Sequence, residues 1–76
     1  MSVNHIIMTD IRIKFGKHLR KLRQNQGLTQ EELADRANMH FTYIGQIERG
    51  IRNPSLINLH KLAKALKVNS GQLLPF

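Results

Sequence analysis

The chain has 76 residues and no cysteine, and its 12 Lys and Arg against 5 Asp and Glu give a formal net charge of +7. This length allows one small domain, and the lack of cysteine excludes disulfides, thiolate metal sites and cysteine nucleophiles. No apolar run reaches the ~20 residues of a membrane helix, and residues 1–10 lack the pattern of a signal peptide. The charge favours a polyanionic partner, most commonly nucleic acid, over a basic surface that serves only solubility.

A short extension, residues 1–8, precedes the first predicted helix. Thr9 or Asp10 is its expected N-cap, and the helix is expected to run to about Gln26 and to end at Gly27 in the left-handed C′ position. The apolar stripe of this helix is Ile11, Phe15, Leu19 and Leu22.

The second predicted helix has a complete start signal. Thr29 and Glu32 have the spacing of a capping box, and Leu28 and Leu33 have the spacing of a hydrophobic staple. Asn38 is suited to the left-handed residue of the turn that follows. The expected inward face is narrow: Leu33, Ala34 and Ala37.

The third predicted helix covers about residues 41–49 and is closed by Gly50. Ile44 and Ile47 are expected to face inward. His40, at the N-cap, is a poor capping residue compared with Ser, Thr or Asp.

Ser55 is the expected N-cap of the fourth helix, and Asn69 with Gln72 can form a capping box at a last turn that Pro75 stops. The predicted buried stripe of the fourth helix is Leu56, Leu59, Leu62, Ala63 and Leu66. Because no segment alternates with period two, the sequence predicts an all-α domain, a compact five-helix bundle over residues 9–76.

The segment LTQEELADRANMHFTYIGQIERGIRNPSL resembles the Cro and phage-repressor (XRE-like) family of helix-turn-helix proteins. FGKHLRKLR before it and LHKLAKALKVNSGQLL after it extend the resemblance over about residues 11–74. The phrase YIGQIERGIRNPSL is also similar to the small controller proteins of restriction–modification systems. The resemblance implies a lambda-repressor-like domain that regulates transcription in a bacterial or phage cytoplasm. It also implies a homodimer on a palindromic double-stranded DNA operator.

The residues of the third helix that are not needed inside are expected to face the major groove: His40, Phe41, Thr42, Gly45, Gln46 and Arg49. By resemblance, Phe41, Thr42 and Gln46 would read bases. Gln46 suits a bidentate contact to adenine, Thr42 offers a hydroxyl or a methyl group, and Phe41 suits a thymine methyl group. The alternatives are that Phe41 turns into the core and that Thr42 and Gln46 are only a solvated face.

The predicted contacts to the DNA backbone are Gln30, His40, Tyr43, Arg49, Arg52 and Asn53. Gln30 is similar to a family position that binds the backbone. His40 is included because a weak cap suggests another use. Arg52 has an alternative interpretation as a solvated loop charge.

Two structural roles complete the prediction. The resemblance implies an ion pair between Arg23 and Glu48 that holds the third helix to the first. The expected dimer interface is apolar and near the C-terminus: Ile57, Leu73, Leu74 and Phe76.

Other classes of function find less support in the sequence. The four histidines show no metal-ligand spacing, and no phosphate loop or activated-serine motif occurs, so we expect no enzyme, metal, cofactor or small-molecule ligand. An antitoxin or another protein-binding module could use the same fold, and this alternative stays open. RNA binding is less favoured because no aromatic stacking platform is evident.

Overall fold

A computed structural model of the chain describes the backbone of residues 2–76 and the side chains of residues 11–76. Five helices follow one another, with no strand in this part of the chain: α1 (Ser2–Asn25), α2 (Gln30–Ala37), α3 (Phe41–Glu48), α4 (Leu56–Leu66) and α5 (Ser70–Leu73). Helix α1 packs against α3 and α5, while α2 packs against α3 and α4. The predicted all-α bundle of five helices is therefore confirmed.

The first helix is longer than predicted. It begins at Ser2 and continues without a break through Thr9 and Asp10, so neither residue is its N-cap. The preference for such residues at an N-cap amounts to only about 1 kcal/mol. No glycine or proline in residues 2–15 opposes a continuous helix.

The starts of the later helices follow their sequence signals. Thr29 Oγ1 accepts from the Glu32 amide at 3.0 Å, and the Glu32 side chain accepts in return from the Thr29 amide at 2.9 Å. Asn69 and Gln72 form the same reciprocal pair before α5, and Ser55 caps α4. The hydrogen bond from the Thr29 backbone holds the pKa of Glu32 below its usual value.

Helices α1 to α4 all end in the same way. Each is followed by a left-handed residue, with φ values of 70° at Gly27, 54° at Asn38, 76° at Gly50 and 57° at Lys67. The next amide in each case bonds back five residues, for example Ile51 N to Gln46 O at 3.0 Å, which makes each ending a Schellman motif. Three of the four left-handed residues were predicted from sequence; Lys67 gives no such signal.

The core lies between α1 to α4 and is closed by α5. Its buried members are Phe15, Leu19, Leu28, Leu33, Ala34, Ala37, Ile44, Ile47, Leu62, Ala65, Leu66 and Leu73. Five residues of the predicted stripes are not in this buried set: Leu22, Leu59 and Ala63 are partly buried against it, whereas Ile11 is 40% exposed and Leu56 is 83% exposed. Leu56 is the first residue of α4. A helical stripe is buried only as far as neighbouring elements cover it, and the described residues cover Ile11 and Leu56 incompletely.

Gly16 lets the backbone of α1 come into contact with the backbone at the end of α3. A Cβ atom at this position would lie 2.5 Å from the carbonyl oxygen of Ile47 and 2.6 Å from that of Glu48. Real Cβ atoms do not come so close to an oxygen, and main-chain atoms cannot move aside as a flexible side chain can. Any larger residue would therefore separate the two helices.

We expect Gly16→Ala to lower the free energy of unfolding by at least about 2 kcal/mol through overpacking. The sign is informative, because an alanine inside a helix otherwise stabilises it by about 0.5–1 kcal/mol relative to glycine. Urea denaturation would measure the effect, with Gly71→Ala as the control, since a Cβ there would meet an ordinary contact at 3.4 Å. An unchanged or raised stability for Gly16→Ala would contradict this account.

Candidate nucleic-acid interface

Helix α3 is held against the body by its inner face. Ile44 and Ile47 are fully buried, and a three-residue turn, residues 38–40, joins α2 to α3. Asn38 takes the left-handed conformation predicted for it in this turn. The turn and the buried isoleucines set the angle between α2 and α3.

A buried ion pair connects the C-terminal end of α3 to α1. Arg23 donates through Nε to Glu48 Oε2 at 2.6 Å and through Nη2 to Glu48 Oε1 at 3.0 Å, and both residues are 8% exposed. The expected pair is thus present, and it has the two-bond fork geometry that favours Arg over Lys. The hydrogen bonds to Glu48 raise the pKa of Arg23.

Two further hydrogen bonds complete this network. Arg23 Nη1 donates to the carbonyl of Leu28 at 2.7 Å, in the connection between α1 and α2. Gln30 Nε2 donates to Glu48 Oε1 at 3.1 Å, from the first turn of α2. Among the described side chains, no buried nitrogen or oxygen lacks a hydrogen-bond partner. The charges of Arg23 and Glu48 are therefore compensated by groups from α1, α2 and α3.

The opposite face of α3 is open to solvent. Phe41 is 50% exposed, so the alternative in which it turns into the core is wrong. Its ring stacks on that of His40, with centroids 5.3 Å apart. Thr42 and Arg49 are also exposed, and Gln46 is half-buried. The three predicted base-reading residues are all accessible on one short helix.

His40 is a functioning N-cap, contrary to the premise that it caps poorly. Its Nδ1 accepts from the backbone amide of Thr42 at 3.2 Å. Because that amide can only donate, the proton of a neutral ring is on Nε2. The weak-cap argument for a DNA contact therefore fails, although Nε2–H remains a donor on the far side of the ring.

Gly45, predicted to face the groove, is covered by neighbouring side chains. A Cβ atom there would lie 3.3 Å from Gln30 Oε1 and 3.4 Å from Arg49 Nη1. Gly45 is buried beneath these two side chains. A glycine at this position leaves room for both of them over the middle of α3.

The remaining predicted backbone contacts lie in the first turn of α3 and in the loop that follows this helix. Arg52 and Asn53 are exposed in the loop before α4, and Arg52 Nε donates to Gln46 Oε1 at 2.9 Å. Tyr43 is half-buried, and its hydroxyl accepts from Asn58 Nδ2 at 3.2 Å. No local sequence pattern indicates this role of Asn58, because the contact joins residues of two different helices.

The predicted dimer residues divide into two groups. Leu73 is only 1% exposed, so the expectation that it lacks partners within the chain was wrong; it seals the core beneath α5. Ile57 and Phe76 are 69% and 68% exposed, and Leu74 is half-buried. Leu56, expected inside, is exposed beside them.

Comparison with known proteins agrees with this arrangement. A family model described as helix-turn-helix matches residues 19–73. The chain belongs to this helix-turn-helix family. It is 46% identical to the control protein C.BamHI of Bacillus amyloliquefaciens over 68 residues, which are 88% of the chain and 84% of that protein. It is 42% identical to C.MunI of a Mycoplasma species over 67 residues, 87% of the chain and 90% of the relative.

Solved structures extend the helix-turn-helix likeness to three dimensions. The restriction–modification controller C.AhdI of Aeromonas hydrophila superposes with a TM-score of 0.80 and 47% identity, over 82% of this chain and 94% of its own. C.Esp1396I, solved as a tetramer with its natural 35-base-pair operator, gives a TM-score of 0.78 and 35% identity over 83% of both chains. The predicted resemblance to the XRE-like family and to controller proteins is confirmed.

In the described part of the chain, no helix is both long enough and apolar enough to cross a membrane. The same residues contain no cluster of three or more His, Asp or Glu side chains suited to a metal ion.

We expect Glu48→Ala to lower the free energy of unfolding by about 3–5 kcal/mol, because it leaves Arg23 buried without its counter-charge. Chemical denaturation would measure the change. Glu31→Ala, which removes an exposed acid from α2, is the control and should stay within about 0.5 kcal/mol of the parent. Adding Arg23→Met to Glu48→Ala should recover part of the loss. Equal stability of Glu48→Ala and the parent would rule out a structural role for the pair.

Proposed function

We propose that this helix-turn-helix protein is a transcriptional regulator of the restriction–modification controller kind, which binds a specific double-stranded DNA operator as a homodimer. The proposal rests on the difference between the two faces of α3. The inner side of α3 is held by buried isoleucines and by Glu48, while its outer side keeps Phe41, Thr42 and Gln46 accessible. A short helix held rigidly at one face and open at the other fits the major groove.

The distribution of charge supports a DNA partner. Residues 11–76 contain four acidic side chains. Glu48 is paired with Arg23, and the other three, Glu31, Glu32 and Asp35, all lie on α2. Arg49 and Arg52 are exposed at the C-terminal end of α3. With a net charge of +7, the protein would be attracted to DNA at long range and held by phosphate contacts at short range.

The accessible side chains suggest a division of roles. The stacked rings of His40 and Phe41 form a flat surface at the start of α3 that suits contact with a thymine methyl group. Thr42 lies next to these rings. Donors around α3 would bind phosphates: Gln30, His40 Nε2, Tyr43, Arg49, Arg52 and Asn53. Controller relatives support this reading, and the operator complex of C.Esp1396I is an example within the family.

Selection of binding sites from random duplexes, followed by titration at two salt concentrations, tests the proposal. We expect a palindrome with half-sites about 34 Å apart and an affinity that falls steeply with salt. Thr42→Ala should weaken binding to the selected duplex more than to random DNA. Arg49→Ala should weaken both alike and flatten the salt dependence, whereas Lys64→Ala on α4 should do neither.

No selected sequence, or binding that salt does not change, would contradict the regulator role. It would favour a protein partner, as in an antitoxin.

We also propose where the homodimer forms. Leu56, Leu59 and Leu74 line a shallow apolar depression beside α5, and Leu59 and Leu74 continue into a second depression that Phe76 borders. Ile57 is exposed on the first turn of α4. Exposed apolar residues of this kind are typical of a contact between subunits, and a two-fold dimer would present two α3 helices to successive turns of DNA.

We expect Leu56→Asp to dissociate the dimer in sedimentation experiments and to weaken operator binding, because it places a charge on this surface. Leu56 is 83% exposed, so the monomer should fold normally. Ile51→Asp, at a 58% exposed residue of the loop after α3, is the control and should remain dimeric. A stable Leu56→Asp dimer would remove this surface from the interface.

A further inference from the structure

We propose that Gln46 and Arg52 form a single base-reading unit that presents mainly hydrogen-bond donors to DNA and therefore prefers guanine. Arg52 is in this proposal a positioning residue that sets the orientation of the Gln46 amide. The inference rests on the proposed function, and it specifies which base the middle of α3 reads.

The unit is defined by one side-chain hydrogen bond. Arg52 Nε donates to Gln46 Oε1 at 2.9 Å, across the C-terminal end of α3. Gln46 lies on α3, and Arg52 lies in the loop that follows it. The bond is at the surface, beside the exposed residues proposed to face DNA.

The main chain brings the loop to this place. Ile51 N donates to the carbonyl of Gln46 at 3.0 Å, and Gly50 between them has φ +76°. A Cβ atom at Gly50 would lie 3.0 Å from Ile13 Cγ1, so α1 closes the space on its other side. Gln46 is thus bonded to the loop through both its backbone and its side chain, which limits where Arg52 can lie.

This hydrogen bond determines which way the Gln46 amide faces. Its oxygen and nitrogen are ordinarily interchangeable by rotation, but a guanidinium has donors and no acceptor. The oxygen must therefore face Arg52, and the NH₂ group faces away from it. The Nη groups of Arg52 are donors as well. The two side chains together therefore offer several N–H donors, while the Gln46 oxygen keeps one free lone pair.

Each base offers a different pattern to such an edge. Adenine presents the N7 acceptor and the N6 donor, so a bidentate contact from glutamine needs its amide oxygen as well as its NH₂. Guanine presents two acceptors, N7 and O6, which match two donors. Gln46 with its oxygen engaged by Arg52 is therefore complementary to guanine. The adenine contact expected from the residue type alone would need the same oxygen to accept from Arg52 and from adenine N6 together, through its second lone pair, whereas the guanine contact uses donors only.

The test is binding-site selection from random duplexes with the parent protein, Gln46→Ala, Arg52→Ala and the double variant. The parent should select guanine at one base pair of each half-site. Gln46→Ala should lose that preference, by roughly tenfold to a hundredfold in relative affinity. Arg52→Ala frees the amide to rotate, so the preference there should move from guanine toward adenine. The double variant should resemble Gln46→Ala alone, because the two residues act on the same base pair.

Two controls separate positioning from charge. Relative to Arg52→Ala, Arg52→Lys restores the positive charge and a donor but not the planar fork, so it should restore the salt dependence in full and the guanine preference only in part. Arg49→Ala removes the other exposed arginine at this end of α3 and should leave the base preference unchanged. Thermal melting should be the same for the parent and the Arg52 variants.

Two results would overturn the inference while leaving the proposed function intact. One is adenine at the base pair whose selection depends on Gln46 in the parent. The other is an unchanged base preference in Arg52→Ala, which would make Arg52 a phosphate contact only. If the parent selected no duplex at all, the proposed function itself would fail.

Discussion

The ion pair between Arg23 and Glu48 is the interaction on which the placement of α3 depends. Moving two charges out of water costs several kcal/mol for each ion, and their attraction repays this only when the remaining polar groups are also bonded. Here the Leu28 carbonyl takes the third bond of Arg23, and Gln30 donates to Glu48. A pair of apolar side chains could make the protein as stable, but it would let α3 shift relative to α1. The fork between guanidinium and carboxylate has one good geometry, so it defines the angle at which α3 leaves the body.

The same residue is located a second time through its main chain. The carbonyl of Glu48 lies against Gly16, where α1 has no side chain to hold it away. The side chain of Glu48 thus fixes the direction of the helix end, and its carbonyl fixes the distance from α1. Neither contact is on the exposed face of α3. Substitutions on that face can therefore leave the position of α3 on the body unchanged.

Local signals predicted much of this structure. Thr29, Ser55 and Asn69 cap their helices, and Gly27, Asn38 and Gly50 end theirs, because such preferences act over a few neighbouring residues. The ion pair came from the family resemblance rather than from the spacing of Arg23 and Glu48. What failed depends on packing between distant segments. The burial of Leu73 and the exposure of Leu56 follow from where α5 ends up on α4, which no local pattern contains. The cover over Gly45 likewise needs side chains from α2.

The candidate site shows the same division between local and distant causes. Phe41, Thr42 and Gln46 could be chosen from their place on α3, since each is on the face that the core does not use. The hydrogen-bond donors and acceptors that these side chains offer to DNA could not be predicted in the same way. A glutamine amide has both an acceptor and donors, and the hydrogen bond from Arg52 determines the direction in which each of them faces. Because Arg52 reaches Gln46 only after Gly50 reverses the chain, the chemistry of the reading edge is a property of the folded helix end. Assigning a base to each residue type, one at a time, therefore omits the intrachain bonds that decide which atoms remain available.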